Sequence, residues 1–189
     1  MIWLLIGLIL FLGMHSVRMV LPGVREVFWQ AWGENAWKGI YSVVSIIGLV
    51  LIVWGYGLTR VEGTVLYVAP EWGRHANLLL MFVAFTLLPF NMRSSRLRPF
   101  IKNPFLLAVG LWAIGHLLAN GELGSVVLFG AFLIWAIANR ASLSRRPDVP
   151  PPSVPLVQDI AAIGVAWVIY VLFLFKLHLW LFGVPPILT

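Results

Sequence analysis

Four histidines are the residues of this sequence best suited to chemistry, because each lies in or beside a long apolar stretch. His15 lies in the first stretch, His75 opens the third, His116 lies in the fourth and His178 is near the end of the sixth. A polar side chain is costly in hydrocarbon, and a neutral imidazole can be satisfied by a neighbouring helix without serving any site. For a single histidine, a purely structural role and a role in a functional site are about equally good interpretations. Four in a chain so poor in polar residues favour a site.

The chemistry open to these histidines is limited by what the chain lacks. It has no cysteine, which excludes disulfides, thiolate metal sites and iron-sulfur clusters. No acidic residue falls in the middle of an apolar stretch, so the carboxylate-rich zinc, manganese and di-iron sites are disfavoured. Haem b fits better, because the porphyrin supplies four nitrogens and needs only axial imidazoles in an apolar, aromatic pocket. The acids are Glu26, Glu34, Glu62, Glu71, Glu122, Asp148 and Asp159.

The neighbours of His15 and His116 refine this hypothesis. Arg18 follows His15 by three residues and shares its helical face, where it can pair with a haem propionate or extend to the lipid headgroups. Trp112 and Asn120 lie four residues to either side of His116 and share its face, although Asn120 also suits a helix cap before Gly121. These spacings predict His15 and His116 as iron ligands, with Arg18, Trp112 and Asn120 around the cofactor.

The depths of the two ligands are harder to reconcile. The spans predicted below place His15 and His116 at levels that differ by roughly 5 to 10 Å, at 1.5 Å per helical residue. A tilted axial direction would absorb this difference. Otherwise His75 or His178 becomes the partner of His116, although the position of each also suits a solvated helix end or a side chain that reaches the interface.

The elements that position these residues are predicted to be transmembrane helices. Of 189 residues, 61% are hydrophobic and 11% are charged, about half the charge of an ordinary soluble domain. The sequence therefore predicts an all-α integral membrane protein, a bundle of about six transmembrane helices forming a single domain over 1–189. The predicted spans are 1–21, 36–58, 74–92, 104–120, 122–139 and 158–182, with an amphipathic connection over 24–33 and a proline-rich linker over 145–155.

The distribution of basic residues predicts the orientation of the chain. Most Lys and Arg residues fall in or beside loops one, three and five, which the positive-inside rule assigns to the cytoplasm. We therefore expect a multi-pass protein of a bacterial inner membrane with both termini periplasmic. The net charge of +6 does not indicate nucleic acid, because these residues cluster beside apolar runs. They are Arg18, Arg25, Lys38, Arg93, Arg96, Arg98, Lys102, Arg140, Arg145 and Arg146.

Four blocks of the sequence form a distinctive set: GMHSVR at 13–18, GENAWKGIYS at 33–42, LWAIGHLLANG at 111–121 and LHLWLFGV at 177–184. These blocks resemble the NnrU family. Together they extend over nearly the whole chain. The resemblance implies a bacterial multi-pass membrane protein, in a family named for its association with the expression of nitrite and nitric oxide reductases in denitrifiers.

The family is in turn similar to the 15-cis-zeta-carotene isomerase of plants and cyanobacteria, a membrane haem b protein. This resemblance implies axial histidines at His15 and His116. The isomerase has a cysteine where this chain has Ala113, and a His-Pro pair where this chain has Asn103-Pro104. A mechanism that exchanges imidazole for thiolate on iron is therefore excluded here.

Three functional hypotheses follow from the sequence. The first is a haem b protein whose bis-histidine iron serves a redox or nitric-oxide-linked function in denitrification. The second is a haem-dependent membrane isomerase or oxidoreductase acting on a polyene or quinone-like lipid. The third is a cofactor-free assembly partner for another membrane complex. The expected partners are membrane lipid and a lipid-soluble substrate or membrane redox partner; enzyme status and oligomeric state stay open.

Overall fold

The computed structural model describes residues 1–91, 95, 101, 103–144 and 155–187, and these residues are almost entirely helical. Their only extended pairing is an isolated antiparallel bridge between Val65 and Glu122. A 3-10 turn at Leu88–Asn91 follows the fourth helix, and a π turn at Phe173–Leu177 joins the last two. The helices are α1 Ile2–Val20, α2 Pro22–Trp32, α3 Glu34–Glu62, α4 Gly73–Leu87, α5 Pro104–Ala119, α6 Leu123–Ser144, α7 Leu156–Leu172 and α8 His178–Phe182.

Several of these helices are long and apolar enough to cross a membrane, which confirms the predicted all-α membrane fold. The fourth predicted span, α5, is apolar but has only 16 residues, so it rises about 24 Å and is shorter than a typical hydrocarbon core. The basic residues of 93–102 and 145–146, on which the predicted orientation depends, lie outside the described residues. Within the described residues the five membrane-length segments are Ile2–Val20, Glu34–Glu62, Gly73–Asn91, Leu123–Leu143 and Leu156–Phe182.

Helix ends occur where the sequence supplies proline or glycine. Pro22 opens α2, so most of the predicted amphipathic connection is itself a helix, which ends at Gly33 with φ of +82°. The third helix continues beyond its predicted end to Glu62, where Gly63 takes the left-handed conformation at φ of +67°. At the start of α3, the ammonium of Lys38 lies 2.9 Å from the carboxylate of Glu34, as their four-residue spacing predicts.

Internal contacts divide the chain into two compact units. The first comprises Met1–Val68 and Asn120–Trp135, and the second Ala69–Ala119 and Ala136–Thr189. The family resemblance and the apolar composition led us to expect a single domain over 1–189, and that expectation stays a prediction.

In the first unit, α1 and α3 pack with their backbones in close contact. A Cβ added to Gly7 would lie 2.6 Å from the amide nitrogen of Ile52, and one added to Gly48 would lie 2.8 Å from the amide nitrogen of Phe11. Gly55 is pressed in the same way against Leu4. Small residues permit this approach of two apolar helices. Gly48 and Gly55 therefore pack against a helix of the same chain.

The chain segments before α4 and before α6 are joined by hydrogen bonds within the first unit. The amide of Leu66 donates to the carbonyl of Gly121 at 2.8 Å, and the hydroxyl of Tyr67 donates to the carbonyl of Asn120 at 2.9 Å. Nearby, the buried hydroxyl of Ser125 lies 3.0 Å from the hydroxyl of Tyr56. These bonds fix the start of α6 against the end of α3.

In the second unit, α4 packs against α5 and α7. A Cβ on Gly115 would lie 3.3 Å from Cα of Asn77, so α4 and α5 are as close here as their backbones allow. The hydroxyl of Tyr170 on α7 donates to the carbonyl of Leu78 on α4 at 2.9 Å. A small buried core lies on the same helices, formed by Ala84, Leu87, Phe90 and Ala108.

Candidate functional site: two histidine pockets

The first histidine pocket lies in the first unit and is formed by α1, α2 and the start of α3. It encloses about 340 Å³ and combines the imidazole of His15 with basic and aromatic side chains. Its lining residues are Met14, His15, Val17, Arg18, Arg25, Trp29, Trp37, Lys38, Tyr41 and Ser42.

The imidazole of His15 is held in one orientation and one neutral tautomer. Its Nδ1 lies 2.7 Å from the carbonyl oxygen of Phe11, which can only accept, so Nδ1 carries the proton. The lone pair of the neutral ring is then on Nε2, the nitrogen that can bind a metal. Aromatic rings surround the imidazole, with centroids 4.3 Å away for Phe11, 5.2 Å for Tyr41 and 6.2 Å for Trp135.

Among the described residues, three cationic side chains and no carboxylate line the same pocket. Arg18, on the helix that carries His15, is joined by Arg25 from α2 and Lys38 from α3. The guanidinium carbon of Arg25 lies 3.8 Å from the ring centroid of Trp29, a cation–π contact. Beside it, the indole Nε1 of Trp29 is buried and finds no hydrogen-bond partner among the residues that the structure describes.

The second histidine pocket lies in the second unit and is much smaller, at about 40 Å³. His116 and His178 both line it, together with aromatic side chains from α4, α7 and the π turn. Its lining residues are Asn77, Leu78, Met81, Phe85, His116, Tyr170, Phe173, Leu174, His178 and Pro186.

Both histidines of the second pocket have the tautomer seen in His15. Nδ1 of His116 donates to the carbonyl of Trp112 at 2.8 Å, and Nδ1 of His178 donates to the carbonyl of Val184 at 2.7 Å. The ring of Trp112 also packs on that of His116, with centroids 5.5 Å apart. The side-chain oxygen of Asn77, in the same pocket, is buried and has no hydrogen-bond partner in the described part of the chain.

The predicted site residues are thus distributed over both pockets. His15 and Arg18 share the first pocket, and His116 lies in the second with Trp112 against it. Asn120 lines neither pocket and offers its carbonyl to Tyr67. His75 is exposed and lines neither pocket. His178 is the histidine that the structure brings together with His116.

Sequence reasoning missed several pocket residues. Arg25 and Lys38 entered it only as topology signals, Trp29 only as part of the amphipathic connection, and Asn77 not at all. The four-residue spacing from Arg25 to Trp29 was a usable signal, because residues so spaced share a helical face. No comparable spacing marks Asn77, which reaches its pocket only through the packing of α4 on α5.

A metal site built from protein side chains alone is not found in the described residues. Among them there is no group of three or more His, Cys, Asp or Glu side chains that could hold a metal ion.

Helix lengths, apolar composition and the family match together define the class of protein. The chain is an all-α, multi-pass membrane protein. It belongs to the NnrU family, whose model, described as NnrU protein, matches residues 3–186. No match was found among curated proteins or among solved structures.

Proposed function

We propose that this NnrU-family protein binds haem b, in which His15 and His116 would hold the iron and Arg18 would pair with a propionate. The cofactor would serve a redox or nitric-oxide-linked function in denitrification. We further propose a bacterial inner-membrane location with both termini periplasmic, as the distribution of basic residues predicts.

The arrangement around His15 is the observation that carries this proposal. The carbonyl of Phe11 takes the Nδ1 proton, so Nε2 of the neutral ring has a lone pair for iron. The imidazole packs against aromatic rings, and cationic side chains line the same pocket, which suits an apolar macrocycle that carries two carboxylates. The surroundings of His15 therefore suit the cofactor.

The chain's own part is to hold and tune the group. When bound, haem with two neutral imidazoles supplies a low-spin, one-electron centre. The carbonyls of Phe11 and Trp112 orient the two imidazoles and increase their basicity as ligands. The cation of Arg18 would offset the charge of a propionate, and the aromatic side chains would exclude water and so influence the reduction potential.

Absorption spectroscopy of purified full-length protein tests the proposal. After expression with ample haem supply, we expect a Soret band and a haem b signal in a pyridine haemochrome assay. The double variant His15→Ala, His116→Ala should lose both, whereas His75→Ala, which replaces an exposed histidine outside both pockets, should keep them. Wild-type protein without a Soret band would refute the proposal, and so would an unchanged spectrum in the double variant.

A further inference from the structure

Iron ligation does not explain the cationic side chains that line the first pocket. Arg18, Arg25 and Lys38 come from three successive helices and line a single cavity, and no acidic side chain of the described residues contributes to it. Like charges gathered in a cleft with apolar walls focus a positive potential and attract an anion. The pocket is therefore built to receive negative charge.

The ion pair that Lys38 already makes does not remove this preference. Its ammonium lies 2.9 Å from Glu34, but the two side chains are 65% and 56% exposed. Exposed pairs of this kind contribute little to stability and are screened by salt. An oxyanion inside the pocket can therefore replace Glu34 as the partner of the Lys38 ammonium at a small cost in free energy.

The indole of Trp29 provides an independent indication of a ligand. Its Nε1 is buried and has no acceptor within the part of the chain that the structure describes, although buried polar groups are nearly always hydrogen-bonded. The guanidinium of Arg25 is stacked on the same indole at 3.8 Å. Trp29 itself lines the pocket, so an oxyanion bound there would lie beside both the indole and the stacked guanidinium.

The remaining walls indicate that the oxyanion is carried by an apolar body. Met14, Val17, Trp37 and Tyr41 line the pocket together with the cations, and the helices that form it belong to a membrane protein. A freely soluble phosphate would leave these surfaces without a partner. An amphiphile would cover them while its acidic group meets the basic residues.

We propose that the first pocket binds the oxyanion, phosphate or carboxylate, of an amphiphilic ligand through Arg25, Lys38 and the indole N–H of Trp29. Two sources have this chemistry. One is an anionic phospholipid of the surrounding membrane. The other is the propionate of haem, in which case the inference rests on the function proposed above.

The lipid source is tested with protein from a haem-deficient host, held in mixed micelles of phosphatidylglycerol and phosphatidylcholine. Native mass spectrometry measures how far the protein prefers the anionic lipid. We expect Arg25→Gln, Lys38→Gln to lower this preference about tenfold, because it removes two charged hydrogen-bond donors. Trp29→Phe should lower it about threefold, because it removes one neutral donor.

Matched variants separate the pocket from the general charge of the protein. Arg60→Gln, Arg74→Gln removes two charges from residues that do not line the pocket. This variant should keep the preference of the wild type. Arg25→Lys retains the charge and should fall between wild type and the double variant, so the test does not depend on a single substitution.

The haem source is tested by titrating haem into the same proteins and reading the Soret band. If the pocket variants lose their preference for the anionic lipid, the source of the oxyanion is phospholipid. If they lose haem affinity but keep the lipid preference, the source is the haem propionate. If the pocket variants match the controls in both titrations, the inference is wrong. A chain that never binds haem refutes the proposed function but leaves the lipid titration decisive for this one.

Discussion

The two histidine pockets present the same imidazole geometry in opposite surroundings. In both, Nδ1 of a helical histidine donates to the carbonyl four residues earlier, at 2.7 Å for His15 and 2.8 Å for His116. The first pocket encloses about 340 Å³ and is lined by cations, whereas the second encloses about 40 Å³, is mostly apolar and contains a second histidine. The same hydrogen bond from a histidine to the carbonyl four residues earlier therefore occurs in two different environments.

This difference indicates what each pocket can do. A wide pocket with basic walls can receive a bulky ligand that carries negative charge, and we assign it that role. A narrow pocket between close-packed helices has room for little more than the side chains that form it. What this pocket contributes to a site is the Nε2 atom of His116, whose ring is oriented by the hydrogen bond to Trp112 and by the side chains packed around it.

The largest effect should come from replacing the histidines one at a time. If haem is bound as proposed, His15→Ala and His116→Ala should each lose most of it, because each removes a residue proposed to hold the iron, and His178→Ala should retain it. The ratio of Soret absorbance to protein measures all three. If His15→Ala retained haem and His178→Ala lost it, the cofactor would be assigned to the second pocket, and the roles given to the two pockets would be exchanged.

The next largest effect tests how tightly the second pocket is packed. Gly115→Ala would press a Cβ against the side-chain oxygen of Asn77 and place it 3.3 Å from the Cα of that residue, and such overpacking costs about 1–3 kcal/mol. Gly110→Ala, on the same helix and with no other atom within 4 Å of its added Cβ, should leave stability nearly unchanged. Thermal unfolding in detergent compares the two variants. Equal melting temperatures would show that α4 and α5 can separate at little cost.

A smaller effect concerns the orphan acceptor in the second pocket. Asn77→Leu keeps a similar shape and removes a buried oxygen that has no partner among the described residues, so stability should change by less than about 1 kcal/mol. Chemical denaturation of the variant and the wild type measures this. A loss of more than about 2 kcal/mol would show that the oxygen accepts a hydrogen bond from a bound group.

The smallest effect belongs to the first pocket and has a definite sign. Glu34→Gln breaks an exposed pair with Lys38, so we expect a stability change below about 0.5 kcal/mol. Because the substitution also removes the carboxylate that competes for Lys38, it should raise the preference for phosphatidylglycerol. A lowered preference would mean that the ammonium does not take part in anion binding.

Much of the fold could be predicted because its signals are local. Apolar runs gave the helices, and Pro22 and Gly33 mark the ends of α2. The C-terminus of α3 was predicted at Leu58, four residues too early. The apolar run ends there, but the helix continues through the polar residues that follow until Gly63 permits the left-handed conformation. Such boundaries depend on one residue and are the hardest part of a helix to predict.

The site was harder to predict because it depends on how helices pack. The spacing of His15 and Arg18 identified two residues of the first pocket, since three residues along a helix is a local relation. That His178 shares a cavity with His116 depends on the contacts of α7 with α4 and on the turn that follows α7, which no spacing encodes. Asn77 was missed for the same reason, since it meets Gly115 only where two helices are in close contact.

The π turn at Phe173–Leu177 has a consequence for the last histidine. A π turn holds one residue more than the α-helical turn it replaces, and each residue of an α-helix advances by about 100°. If the same residues were wound as a regular α-helix, the extra residue would carry the His178 imidazole roughly a quarter of a circle further around the helix. The wider winding absorbs that rotation, so the direction of this side chain depends on the π turn.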